Sequence, residues 1–247
     1  MKSLSSAVAY SVLDLFYPPH CAVCERPFLD NERAFLCREC DTKIERIDQS
    51  HVCRCGIPLP KVLDLCPSCA QSERVFEQIR SFGWYEEHDE DQVLSALIKI
   101  FKYGGERALT PLLAGYLVEA GESLRPWIEQ ITFVPMTRKK EHERGFNQAE
   151  LLARELGRLW KIPVVRALEK VKETKPQASL PYKARRENVR GAFRLAKFPP
   201  CASILIVDDV CTSSATLSEC AQVLKDGGVE RVYGLTVARA APPADAQ

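Results

Sequence analysis

The chain has 247 residues, 46% of them hydrophobic and 27% charged, with a formal net charge of +1. That length can bury a full α/β core with room for a small second module. No run of about 18 apolar residues occurs, which argues against a membrane-spanning helix, and the near-zero total charge by itself points to no class of partner.

The first sixteen residues, "MKSLSSAVAYSVLDLF", lack the charged start, oily middle and small-residue cleavage site of a secretory signal, and Asp14 interrupts their best apolar run. The expectation is a cytoplasmic protein, with residues 1–18 as a lead-in. Of eleven cysteines, eight crowd into residues 21–69. A cytoplasmic compartment keeps thiols reduced, so disulfides are not the natural reading. Cys21 and Cys24 form one C-x-x-C knuckle, and Cys37 and Cys40 form another twelve residues later. Two such knuckles close a four-thiolate site, with zinc the first choice of metal and an iron–sulfur centre the second. The next set is less regular: Cys66 and Cys69 form a good knuckle, but Cys53 and Cys55 stand only two apart, with His51 a candidate substitute ligand. A segment of this size with few aliphatics needs metal to fold, so the expected role of zinc is structural. The zinc-ribbon module is placed at 19–75. Cys201, Cys211 and Cys220 stand outside it and read as packed thiols.

Residues 76–239 read as an α/β domain. "QVLSALIKIFKY" (92–103) places Val93, Leu97, Ile100 and Phe101 on one helical face and stops at Gly104-Gly105. Another helix is expected over 109–119, with Pro111 in its first turn. "ITFVP" (131–135) is a short buried strand, followed by a polar loop "MTRKKEHERGFNQ" and a helix through Trp160. "KIPVV" and "RVYGLTVA" supply further strands of a mostly parallel sheet. Between them lies "VKETKPQASLPYKARRENVRGAF", too long and polar for a simple connection and therefore a candidate lid. Residues 138–197 hold 17 Lys and Arg against 7 Glu, an excess of ten positive charges suited to phosphates of a nucleotide or of nucleic acid. The tail 240–247, "AAPPADAQ", reads as disordered.

"ILIVDDVCTSSAT" (204–216) carries the sharpest signal. Ile204 to Val207 are aliphatic without alternation, as in a strand buried on both faces. Asp208 and Asp209 stand at its carboxyl end, then a hydroxyl-rich turn, then helical spacing from Leu217 to Leu224. The turn offers backbone N–H groups and a positive helix end to a phosphate. The carboxylates suit sugar hydroxyls or hydrated magnesium. A P-loop ATPase is excluded because no G-x-x-x-x-G-K-[ST] occurs. A receiver domain is excluded because its acidic pair stands near the start of the fold. The bland alternative is a capped helix with both carboxylates solvated.

This stretch resembles the phosphoribosyl pyrophosphate (PRPP) signature of type I phosphoribosyltransferases. Together with the paired-cysteine ribbons, "IKIFKYGGERAL", "RGFNQAELLA", "TKPQASL" and "RRENVRGAF", in that order, it resembles the ComF family (competence and DNA uptake, ComFC type) from about residue 15 to 239. The resemblance implies a type I phosphoribosyltransferase-like parallel sheet flanked by helices and preceded by the zinc ribbon. It also implies PRPP with Mg²⁺ as ligand, and a role in natural transformation and handling of single-stranded DNA, with DNA-uptake proteins as partners. Carried over by motif, Thr212, Ser213, Ser214, Ala215 and Thr216 hold the 5′-phosphate, while Asp208 and Asp209 engage ribose hydroxyls and magnesium. Met136, Thr137 and Arg138 form the diphosphate-side loop, and Lys172, Lys175, Arg185 and Arg186 close from the lid. Ser214 departs from the glycine usual in this pattern, which predicts a negative φ if serine is to be tolerated. Two readings stay open: a PRPP-binding DNA-uptake factor, or an active transferase moving phosphoribosyl to a nucleobase or related acceptor, with Asp208 and Asp209 as the catalytic candidates.

Overall fold

A computed structural model describes residues 20–28, 35–71, 73–86, 89, 91–175 and 184–241. The lead-in 1–18, residues 176–183 of the lid and residues 242–247 of the tail lie outside the described residues.

Four strands, β1 (Gln78–Tyr85), β2 (Gln130–Phe133), β5 (Ser203–Cys211) and β6 (Arg231–Ala240), form one parallel sheet in the order β1-β6-β5-β2. The two inner strands are the most apolar and are buried along nearly their whole length, as strands covered on both faces require. Helices α3 (Val93–Tyr103), α4 (Thr110–Gly121), α6 (Gln148–Trp160) and α8 (Ala215–Asp226) cover the sheet. Successive strand residues show the two faces. A side chain at Gly121 of α4 would collide with Leu235, whereas one at Gly234 would meet Leu217 of α8. Leu235 and Gly234 are neighbours on β6, so α4 and α8 lie on opposite faces.

The expected parallel sheet with a cysteine-rich module before it is therefore present, with four differences in detail. β1 was not foreseen. "KIPVV" forms no strand but a single bridge, Val164 beside Ile131, with backbone bonds from Ile131 N to Pro163 O (2.9 Å) and Val165 N to Ile131 O (2.8 Å). The polar loop after β2 contains a helix, α5 (Arg138–Arg144), capped by Thr137 and ended by Gly145 at φ 80°. A small antiparallel pair, β3 (Leu168–Lys170) with β4 (Phe193–Leu195), brackets the lid and its helix α7 (Ala184–Val189).

The cysteine-rich module holds two short helices, α1 (Arg38–Thr42) and α2 (Pro67–Ala70), and docks on the sheet through backbone. Its segment 45–47 pairs with the outer edge of β1: Ile47 N donates to Phe82 O (2.9 Å) and Trp84 N to Glu45 O (3.0 Å). Ile79 N donates to Arg54 O (2.7 Å) a little further along. An edge strand left bare would template aggregation, so the module also closes the sheet.

Candidate functional site

In each cysteine set, Cys21, Cys24, Cys37 and Cys40, then Cys53, Cys55, Cys66 and Cys69, the four sulfurs lie within 4.8 Å of one another. The Sγ–Sγ separations are 3.8 Å for Cys24–Cys37 and 3.8 Å for Cys55–Cys66. A tetrahedral ion with metal–sulfur bonds of about 2.3 Å sets a sulfur–sulfur edge of about 3.8 Å, so both sets fit a four-thiolate zinc site. Backbone amides support the thiolate form: Cys37 N lies 3.5 Å from Cys21 Sγ and Cys66 N 3.3 Å from Cys53 Sγ. Burial works to raise the Cys21 thiol, but the N–H groups of Cys24, Cys37 and Val23 outweigh it and hold the thiol at about 6. The short spacing of Cys53 and Cys55 is accommodated by a turn closed at Gly56, whose φ is 87° and whose N donates to Cys53 O (2.8 Å). His51 is not needed as a substitute ligand, because Cys53, Cys55, Cys66 and Cys69 complete the set; its Nε2 instead lies 3.0 Å from Pro60 O and 2.9 Å from Leu63 O.

The second site lies at the carboxyl edge of the sheet, where an open cleft of about 640 Å³ runs between β5, the end of β2 and the starts of α6 and α8. β5 continues past Val207, so both carboxylates sit on its last residues rather than beyond it. Asp209 is buried and its Oδ1 lies 2.9 Å from Lys102 Nζ; Asp208 Oδ1 accepts from Asp209 N (2.9 Å). Burial and then the adjacent Asp209 carboxylate push Asp208 up to about 7, against the pull of Lys102 and Lys170. Burial works to lower the Lys102 ammonium, but Asp209 and then Asp208 outweigh it and hold the group above the ordinary lysine value. Lys170 is pushed the other way, by burial and then by Lys140.

Of the residues expected at this site, Met136, Lys175, Asp208, Asp209, Thr212, Ser214, Ala215 and Thr216 line the cleft. Thr137, Arg138, Lys172, Ser213, Arg185 and Arg186 do not. Thr137 is buried as the cap of α5 and its hydroxyl is paired with Glu173. Arg138, Lys172 and Arg186 are exposed, and Arg185 is half-buried on α7. Ser213 turns inward, its Oγ buried with no hydrogen-bond partner among the described residues. The cleft also holds four cations that sequence reasoning did not assign to it individually: Lys102, Lys140, Arg144 and Lys170. Lys140 and Arg144 come from the unforeseen helix α5, and Lys170 from the unforeseen β3. Asn147 fixes the join between β2 and α6, accepting from Ala149 N (3.0 Å) and donating to Val134 O (3.1 Å).

One expectation fails at Ser214. Its φ is 60°, in the left-handed region, not negative. The turn from β5 into α8 demands the conformation that glycine adopts without penalty, and the serine takes it at a cost of about 1–2 kcal/mol. Its Oγ lies 3.4 Å from Cys211 Sγ.

Residues 12–72 match a family model described as a double zinc ribbon domain. Over 214 residues the chain is 32% identical to Competence protein F of Haemophilus influenzae, an alignment covering 83% of this chain and 90% of that protein. The chain belongs to the ComF family. Two further relatives are the DNA utilization protein YhgH of Salmonella typhi, 27% identical with 88% and 96% of the two chains covered, and Competence protein ComFC of Streptococcus pneumoniae, 23% identical with 85% and 90% covered. Among solved structures, an orotate phosphoribosyltransferase from Aeropyrum pernix overlaps 55% of this chain and 73% of its own at 15% identity with a TM-score of 0.36, a partial overlap on which nothing further rests. In this ComF chain the ribbon module is joined to the sheet by backbone pairing along β1. No described helix is long and apolar enough to cross a membrane.

Proposed function

We propose that this ComF protein binds PRPP with Mg²⁺ in the sheet-edge cleft and serves the uptake and handling of single-stranded DNA in the cytoplasm. The observation that carries the reading is the meeting of three features in one cleft: a carboxylate pair at a strand end, a turn opening a twelve-residue helix, and a ring of cations. The amides of 212–216 and the positive end of α8 suit the 5′-phosphate. Asp208 and Asp209 face the cleft where ribose hydroxyls would come, and Lys102 holds Asp209 in place until a ligand arrives. Lys140, Arg144, Lys170 and Lys175 offer charge to a diphosphate. Magnesium, when bound, neutralises diphosphate charge and orients its oxygens. The names of the relatives support the DNA side of the reading. The eight ribbon cysteines would bind two structural zinc ions.

Thermal unfolding tests the ligand. PRPP with Mg²⁺ at about 100 times its Kd adds about 2.7 kcal/mol to stability, a rise of roughly 5–10 °C for a chain of this size. Asp208→Asn with Asp209→Asn abolishes the rise; a double variant that responds like the parent overturns the assignment. Diphosphate release measured across nucleobases reads whether transfer follows binding.

For DNA, the charge excess of residues 138–197 and the absence of an aromatic stripe lead to weak, sequence-indifferent binding that falls steeply with salt. Arg185→Ala with Arg186→Ala lowers that affinity and flattens the salt slope if α7 is part of the surface. No detectable binding at low salt removes direct DNA contact.

A further inference from the structure

The second cysteine cluster and the phosphate turn share a buried guanidinium. Arg239, near the end of β6, is only 2% exposed. Its Nη1 donates to Cys55 O at 2.6 Å and to Cys211 Sγ at 3.2 Å, and its Nη2 lies 4.0 Å from Cys55 Sγ. Parallel pairing sets Cys211 of β5 beside Arg239 of β6, so the contact is fixed by sheet register. Cys211 Sγ in turn lies 3.4 Å from Ser214 Oγ, the residue strained into the left-handed region at the head of α8. The approach is tight on the ribbon side as well. A side chain at Gly56, next to Cys55, would come within 2.9 Å of Ile79 O and 3.7 Å of Arg239 Nη1.

We propose that Arg239 is a positioning residue that couples the metal cluster of Cys53, Cys55, Cys66 and Cys69 to the turn 211–216. Four thiolates around a divalent ion carry a net charge of −2, and a buried guanidinium beside them compensates part of it. Outer contacts of this kind orient metal ligands and set how tightly the ion is held. The same guanidinium holds the sulfur that touches Ser214. Emptying the cluster frees the turn that presents Cys55 O to Arg239, so the guanidinium loses a fixed acceptor and the strained turn loses its support. The contacts of Arg239 reach Cys55 and Cys211, so the first cluster, Cys21, Cys24, Cys37 and Cys40, provides the control. The inference rests on the proposed PRPP reading only where it concerns ligand affinity; the coupling itself is measured without ligand.

The test uses the full chain loaded with zinc. Hydrogen exchange is followed in the segment 208–216, and zinc release to a colorimetric chelator is followed in parallel. Arg239→Gln releases one of the two zinc ions about tenfold faster and speeds exchange of 208–216. Cys69→Ser does the same to the turn, whereas Cys24→Ser loses its zinc and leaves the turn unchanged. Arg239→Lys, which keeps the charge but cannot bridge Cys55 O and Cys211 Sγ together, holds zinc more firmly than Arg239→Gln and still loosens the turn. The double variant Cys69→Ser with Arg239→Gln exchanges no faster than either single one, as two parts of one path must. Equal loosening by Cys24→Ser, or additive effects in the double variant, overturns the coupling. PRPP with Mg²⁺ is then titrated into Arg239→Lys, where a weaker apparent Kd is expected. A parent protein that shows no PRPP binding sinks the ligand reading alone, because the exchange comparison stands without it.

Discussion

Replacing Lys102 by methionine, a side chain of similar length without charge, isolates the electrostatics of the cleft. Lys102 and Asp209 are in contact at 2.9 Å, with side chains 18% and 12% exposed. At an effective dielectric of about 20, such a contact is worth roughly 6 kcal/mol of attraction, most of it offset by the cost of taking both ions out of water. Removing one partner of a buried pair typically costs about 3–5 kcal/mol, because the other charge is left uncompensated. Lys170 remains near Asp208, so the lower end, about 3 kcal/mol, is expected for Lys102→Met. For a chain of this length that is a fall of roughly 6–12 °C in melting temperature. The deciding measurement is a magnesium titration of that melting temperature. Millimolar Mg²⁺ should protect Lys102→Met more than the parent, because a divalent cation can replace the missing ammonium between two adjacent carboxylates. Unchanged stability in Lys102→Met would show that Asp209 does not need its lysine. Equal protection of both proteins would show that the carboxylate pair is not where the cation acts.

Metal analysis should find two zinc ions per chain, with Cys37→Ser and Cys66→Ser each losing one and unfolding its own part of the ribbon; a single zinc in the parent refutes the second cluster. Ser214→Gly should leave the melting temperature unchanged or raise it by a few degrees, since relief of about 1–2 kcal/mol of strain is partly cancelled by the added freedom of the unfolded chain. Circular-dichroism melting checks this, and a clear loss of stability would mean that the serine hydroxyl, not the backbone, fixes the turn.

Much of this arrangement was legible because it follows from local chemistry. The knuckles are written in cysteine spacing, β5 in an unbroken aliphatic run, and α8 in its approach to Gly227-Gly228. The helix α5 was hidden by its own composition: "RKKEHER" has no apolar face to give a helical period, and only its end signals, Thr137 and Gly145, betray it. β1 was hidden for the opposite reason. Arg80 and Ser81 interrupt "QIRSFGWY" with polar residues that the fold nevertheless buries.

The cations of the cleft show where sequence reasoning stops. Lys102 stands in the last turn of α3, where a lysine ordinarily complements the helix end and reaches into water. Nothing in "IKIFKYGG" says that a strand over a hundred residues later will bring a carboxylate to meet it. That meeting is decided by tertiary placement, which sets α3 against the same sheet that carries Asp209. Arg239 is the same case in a strand: "RVYGLTVARA" predicts burial for its aliphatics and gives no reason for a buried guanidinium. The reason lies across the sheet, in Cys211, and across the ribbon, in Cys55. The motifs thus specify which chemical groups are available, whereas strand order decides which of them act together. That division explains why Asp208 and Asp209 could be picked out from sequence while the charges that restrain them could not.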